Sequence, residues 1–272
     1  MTNRLTDHKK MTILEEIIEN KSYEVGRAKT AMPISMLEQM PFFERKTNSL
    51  VKALKAKNST GIIAEFKRKS PSKGNINIGA GISETTTGYA NAGAAGLSVL
   101  TDTVYFGGFK EDVQIARENN PKTPILRKDF TIDEYQLYEA KAWGADVILL
   151  IASALSADEI KALSHKANEL GLEVLLEVHD KEELEKSPLE FVDIIGVNNR
   201  NLKNFEESNI NASLELSELI PADKVKISES CISKPETVKE LKKAGYQGFL
   251  IGESFMKMVN PPKALAEFLE QL

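Results

Sequence analysis

Cysteine is almost missing: Cys231 stands alone in 272 residues, so no intrachain disulfide can form, which suits a reducing compartment. Histidine is nearly as scarce. His8, His165 and His179 lie far apart and make no metal-ligand spacing, so no metal site is expected. Neither G-x-G-x-x-G nor G-x-x-x-x-G-K-[ST] occurs, which removes the simplest nucleotide-binding signals. No apolar run approaches the roughly 18 residues of a membrane span, and MTNRLTDHKK at the start has no apolar stretch behind it. Basic charge is not in excess either. Against 40 Asp and Glu stand 35 Lys and Arg, a net charge of −5, which argues against a nucleic-acid partner. The expectation is a cytoplasmic protein with neither membrane nor nucleic acid among its partners; the sequence names no protein partner.

What is present suits a soluble globular chain, with 42% hydrophobic and 28% charged residues. Eight short apolar runs recur: IIAEF (62–66), LSVL (97–100), PILR (124–127), DVILLI (146–151), EVLLEV (173–178), VDIIGV (192–197), KVKIS (224–228) and GFLIG (248–252). Most are apolar at consecutive positions, as in strands of a parallel sheet covered on both faces. Amphipathic stretches such as IDEYQLYEAKAW and KPETVKELKKA lie between them. Thr131/Glu134, Ser156/Glu159, Asp180/Glu183 and Ser233/Glu236 each read as a capping box opening a helix. Gly93, Gly144, Gly171 and Gly245 each read as a helix stop. Eight strands alternating with helices favour a closed (β/α)8 barrel over an open doubly wound sheet. ILEEIIENKSYEV (13–25) and SLVKALKAKN (49–58) precede the first strand, and no Pro- or Ser-rich linker follows them. The chain therefore reads as one domain, 1–272, with residues 1–60 a helical extension packed on the barrel.

The stretch IIAEFKRKSPSKG (62–74) puts two charges where a buried strand should run. Glu65 and Lys67 are two apart, so they share a face, the one turned into the barrel mouth. Other strands close in the same way: Arg127-Lys128-Asp129 on the third, Glu177 on the fifth, Asn198 and Arg200 on the sixth, Glu229 on the seventh. Charged residues are seldom buried unless paired, so these ends predict one shared cluster at the catalytic face of a barrel; ion pairs that only brace the barrel are the plainer alternative. The loops after the last two strands, Glu229-Ser230-Cys231 and Gly252-Glu253-Ser254, sit where such barrels bind phosphate, and Ser70 in the loop 68–81 could close over them.

EFKRKSPSKG, LRKDF, LLEVH, IGVNNRNL, SESCI and FLIGESFM, in that order at the strand ends, resemble the indole-3-glycerol-phosphate synthase family of tryptophan biosynthesis. The resemblance spans nearly the whole chain, including the N-terminal helix and LTDTVYFGG after the second strand. It implies a carboxy-lyase that ring-closes, decarboxylates and dehydrates 1-(2-carboxyphenylamino)-1-deoxyribulose 5-phosphate to indole-3-glycerol phosphate. It assigns Lys128 as the general acid, Glu177 as a base, and Lys67 as a holder of the substrate carboxylate or a second acid. Glu65 remains a further candidate in the dehydration, and Asn198 and Glu229 would fix the ribulose hydroxyls and the lysines. Substrate and phosphate contacts fall to Ser70, Arg200, Ser230, Cys231, Gly252 and Glu253, with Phe106, Phe130 and Tyr105 as aromatic walls. No cofactor is implied, since the positively charged ring system itself accepts the electrons as carbon dioxide leaves. One departure is visible: the family pattern SESGI reads SESCI here, with Cys231 in the glycine's place. Other phosphate-binding barrels, such as a phosphoribosyl isomerase or a Schiff-base aldolase, are the alternatives.

Overall fold

The computed structural model describes residues 11–200 and 209–272. His8, the segment MTNRLTDHKK, and the Asn201-Leu202 end of IGVNNRNL lie outside the described residues. Eight parallel strands close a barrel: β1 (Ile62–Phe66), β2 (Gly96–Leu100), β3 (Ile125–Lys128), β4 (Val147–Ile151), β5 (Glu173–Val178), β6 (Ile194–Asn198), β7 (Val225–Glu229) and β8 (Gly248–Ile251). Each pairs with its sequence neighbours, and β1 closes the ring on β8 with Ile63 opposite Leu250. The eight apolar runs thus become the eight strands, with ends shifted by a residue or two. A two-stranded antiparallel hairpin, Lys69–Ser70 with Gly74–Asn75, follows β1.

Three helices precede the barrel: α1 (Ile13–Ala31), α2 (Ile34–Leu37) and α3 (Leu50–Lys55). The others are α4 (Ile82–Ala92), α5 (Thr103–Phe106), α6 (Lys110–Asn119), α7 (Tyr135–Trp143), α8 (Ala157–Glu169), α9 (Lys181–Lys186), α10 (Asn211–Leu216), α11 (Pro235–Lys243), α12 (Glu253–Met256) and α13 (Pro261–Leu269). No helix among the described residues is long and apolar enough to cross a membrane.

The helix starts follow the sequence only in part. Ser156 and Glu159 form the expected reciprocal box at α8. Asp180 caps α9, but Glu183 reaches back to the His179 N–H instead of its own cap. Thr131/Glu134 fails: α7 begins after Glu134, and Gln136 Oε1 accepts from Ile132 and Asp133 N–H groups. Ser233/Glu236 fails as well, because Lys234 is the N-cap and Pro235, which has no N–H to satisfy, takes the first helical position. A box the sequence reading passed over, Thr12 with Glu15, opens α1. The four glycine stops all adopt positive φ, between 72° and 107°.

Alternation along the strands makes two cores. Outward residues such as Ile62, Ala64 and Phe66 pack under the helices, while Ile63, Leu126, Leu149, Leu175, Ile227 and Leu250 fill the barrel. Leu50 and Leu54 of α3 join the inner core from below and plug the N-terminal end. Glu173 fastens that plug by accepting from the N–H groups of Leu50 and Val51 at 2.8 and 3.1 Å and from the Ser49 hydroxyl. At the opposite end α1 crosses the mouth, where Ile13, Leu14 and Ile17 border the cavity described next.

Candidate active site

An open cavity of about 780 Å³ sits at the C-terminal ends of the strands. The structure brings Glu65, Lys67, Lys128, Glu177, Asn198 and Glu229 to its floor, each on an inward-facing register position. Ser70, Arg200, Ser230, Cys231, Gly252, Glu253, Phe106 and Phe130 border the same cavity. Tyr105 does not; its N–H caps onto Asp102. Arg127 also departs from the expected ring. As the neighbour of an inward lysine it points outward, donates to Gln136 O and Glu139, and lies over Trp143 at 4.2 Å. Asp129 borders the cavity, yet its carboxylate turns back to Thr101, Arg127 and Lys21.

At the centre Lys128 Nζ donates to Glu177 Oε2 at 2.9 Å and to Glu229 Oε2 at 3.0 Å. Asn198 Nδ2 donates to the other Glu177 oxygen at 3.1 Å, and Lys67 Nζ pairs with Glu65 Oε1 at 2.6 Å. Two glycines make room for the carboxylates. A Cβ on Gly196 would collide with Glu229 Oε1, and one on Gly252 with Glu65 Oε1. Gly252 is therefore small because of a close approach, and its φ of −122° needs no glycine.

The charges split unequally. Burial alone would lower the Lys128 pKa, but Glu177, Glu229 and Glu65 outweigh it and raise the value. Burial likewise would raise Glu177, yet Lys128, His179 and the Asn198 hydrogen bond hold its carboxyl well below the usual range. Glu229 goes the other way, raised by burial and by the charges of Glu177 and Glu65 against the pull of Lys128. Its second oxygen has no hydrogen-bond partner among the described residues. The cluster can hold an ammonium, a carboxylate and a carboxyl poised to exchange a proton, all at one cavity floor.

Around the rim, Ser230 and Cys231 both adopt left-handed backbone, with φ of 66° and 59°. Cys231 thus holds a conformation that glycine adopts freely, a strained one for a residue with a Cβ. Arg200 donates to the Ser72 hydroxyl at 2.5 Å and approaches Glu253 at 3.5 Å, so three loops meet across the rim. Phe106 and Phe130 face each other at 6.0 Å as one wall.

Sequence reading missed three participants. His179 borders the cavity, with Nε2 3.6 Å from Glu177 Oε1 and Nδ1 3.1 Å from Glu183 Oε2. It lies two residues beyond Glu177, so the rule that paired Glu65 with Lys67 would have found it. Ser153 brings a buried hydroxyl with no partner among the described residues, and nothing in its local sequence signals that. Lys21, on a helix far upstream, pairs behind the wall and has no sequence signal either.

A closed (β/α)8 barrel with ammonium and carboxylates converging in an open mouth defines an acid–base enzyme of the barrel class. The chain belongs to the indole-3-glycerol phosphate synthase family, whose model matches residues 14–268. It is 48% identical over 260 residues to the indole-3-glycerol phosphate synthase of Bacteroides thetaiotaomicron, covering 96% of this chain and 98% of that one. The Salinibacter ruber indole-3-glycerol phosphate synthase is 43% identical over 257 residues, with 94% of each chain covered. Among solved structures, a mutant tryptophan synthase α-subunit from Pyrococcus furiosus superposes with a TM-score of 0.57 at 17% identity, covering 79% of this chain and 98% of that one. KGPDC from Streptococcus mutans gives 0.58 at 15% identity, covering 78% and 96%. At such identities these two likenesses concern the fold alone. The family is one of decarboxylating lyases of tryptophan biosynthesis.

Proposed function

We propose that this site closes the indole ring of 1-(2-carboxyphenylamino)-1-deoxyribulose 5-phosphate, giving indole-3-glycerol phosphate, carbon dioxide and water. The observation that carries the reading is Lys128, an ammonium held between Glu177 and Glu229 at the cavity floor. In the first step the ring carbon bearing the carboxylate attacks the ketose carbonyl, and Lys128 gives its proton to that oxygen. The new cationic ring then takes the electrons of the carboxylate as carbon dioxide leaves. In the last step the hydroxyl departs as water with a second proton, and a carbon-bound proton goes to Glu177. Two protons are given and one is taken, so the cycle draws one proton from solvent.

The ion pairs order these steps. While Lys128 is charged, Glu177 is a weak base. Once Lys128 has given up its proton, the charge that depressed Glu177 is gone, and its basicity rises when the dehydration needs it. Return of the proton over the 2.9 Å between them resets the pair. Lys67 serves as holder of the substrate carboxylate or as the second acid, with Glu65 keeping it in place. Ser70, Ser230, Cys231 and the Gly252–Glu253 loop take the phosphate, Arg200 steadies the rim, and Phe106 with Phe130 walls the benzoate ring. The helical extension and barrel work as one domain, and a single cysteine suits a cytoplasmic setting.

The test is incubation with the carboxyphenylamino-deoxyribulose phosphate while following indole fluorescence. Appearance of the indole signal with release of carbon dioxide supports the reading. Substrate trapped on Lys128 or Lys67 by borohydride would replace it with Schiff-base chemistry.

A further inference from the structure

The Lys21 ammonium, 3% exposed, lies within an ion pair's reach of three carboxylates: Glu24 at 2.6 Å, Asp102 at 2.9 Å and Asp129 at 2.9 Å. Asp102 and Asp129 are themselves buried. Each does a second job. Asp102 accepts from the Tyr105 N–H at 2.8 Å and so caps α5, which carries Phe106. Asp129 directly follows Lys128 and accepts from the Phe130 N–H at 2.8 Å. Lys21 shares a helix face with Ile13 and Ile17 at intervals of four, and both of those border the cavity. The C-terminal half of α1 has other ties, Lys29 to Asp133 at 2.6 Å and Tyr135 Oη to Ala28 O and Met32 O. Lys21 ties down the part nearer the mouth.

We propose that Lys21 is a positioning residue of the active site: its ammonium lets the N-terminal helix set the Phe106–Phe130 wall and the strand end that carries Lys128. A buried charge used only as a brace would not need two partners that accept from the backbone of the wall, Asp102 from Tyr105 beside Phe106 and Asp129 from Phe130 itself. Burial disfavours the ammonium, but Asp129 and Asp102 more than compensate, so it stays charged. The proposal rests on the functional reading above for its kinetic consequence, and on geometry alone for its structural one.

Lys21→Met leaves two carboxylates short of a cation and can simply fail to fold, so the decisive variant is Lys21→Met/Asp102→Asn. There the introduced amide oxygen keeps the cap on Tyr105, Asp129 keeps Arg127 and Thr101, and the buried charge is balanced. Misplacement by about 1 Å costs on the order of 100-fold in rate, so kcat/KM of the double variant should fall roughly 10- to 100-fold, through kcat where Lys128 is displaced and through KM where the wall is. Amide hydrogen exchange at Tyr105 and Phe130 should quicken, and Lys21→Arg should recover most of the loss. A double variant with wild-type kcat and KM and unchanged exchange at both amides overturns the proposal, reducing Lys21 to a neutraliser of buried charge. Wild-type enzyme that leaves the substrate untouched would sink the functional reading instead, and the exchange rates would still decide the positioning role.

Discussion

The two ends of the barrel both bury ions, and they use them differently. At the floor Asp146 meets Arg45 at 2.7 Å, Arg117, and the N–H groups of Asn48 and Ile125 at 2.7 and 2.8 Å, so each of its oxygens accepts two hydrogen bonds. Neither oxygen of Asp146 is left over, although Arg45 Nε has no hydrogen-bond partner among the described residues, and α3 closes that end with Leu50 and Leu54. At the mouth the charges converge on open space, and Glu229 Oε1, His179 Nε2 and the Ser153 hydroxyl lack hydrogen-bond partners among the described residues. An ion cluster closed over by the core braces; one whose free polar atoms face a cavity has capacity left for a ligand. This contrast, more than burial or charge count, separates scaffold from site.

The sharpest way to break the contrast is Lys128→Met. Loss of a general acid should lower kcat by about 10²–10⁴-fold or more while substrate still binds, since the interaction is made in the transition state. Turnover near normal with only a raised KM would move the acid role to Lys67. At the floor, Asp146→Ala should do the reverse. Removing one partner of a buried network costs about 3–5 kcal/mol, read by urea denaturation, with kcat/KM of the remaining folded protein unchanged. A floor variant that spared stability and lost activity would erase the distinction.

Within the mouth, Glu177 and Glu229 should answer pH with opposite slopes. The Glu177 pKa is depressed in the folded state, so its stabilisation is present above the ordinary carboxylate range and lost as pH falls through the folded value. The Glu229 pKa is raised, so the unfolded chain ionises first and stability declines as pH climbs from the ordinary range to the folded value. The destabilisation by Glu177→Gln should therefore grow between about pH 2 and pH 5 and level off above that, at about 1.4 kcal/mol per pKa unit of depression. For Glu229→Gln it should instead shrink between about pH 5 and pH 7. Parallel slopes in denaturation series would show that the two carboxylates are not divided as described.

The difference between the two ends was half visible in the sequence. Consecutive apolar runs located all eight strands, because burial on both faces leaves no polar positions to blur them. The two-residue period put Glu65 with Lys67, and their places at strand ends put Lys128, Glu177 and Glu229 in one cluster. That same period, applied at β3, would have turned Arg127 outward, and applied at β5 would have turned His179 inward. Lys21 and Asp146 were not legible at all. Their partners lie far away in the chain, and only closure of the barrel brings them together. Thr131 and Ser233 failed as caps because a nearby glutamine and a proline offered the helix ends a different start.

The smallest expected effect concerns the rim, where strain and ligand binding meet at Cys231. Its φ of 59°, beside 66° at Ser230, places two side-chain-bearing residues in the left-handed region. That conformation costs about 1–2 kcal/mol for a residue with a Cβ, whereas glycine adopts it freely. Glycine in turn loses about 0.5–1 kcal/mol through its greater freedom in the unfolded chain. Cys231→Gly should therefore be neutral or stabilising by about 1 kcal/mol, with activity retained and substrate affinity unchanged or better. Cys231 borders the cavity, with Sγ 3.8 Å from Asn199 O, so a phosphate bound in its loop would stand close to the thiol. A phosphate there blocks the approach of reagent to the sulfur. Substrate or inorganic phosphate should then slow alkylation of Cys231 by iodoacetamide. An alkylation rate indifferent to phosphate, or a Cys231→Gly variant without turnover, would take Cys231 out of the phosphate loop and leave its strain as a property of the scaffold.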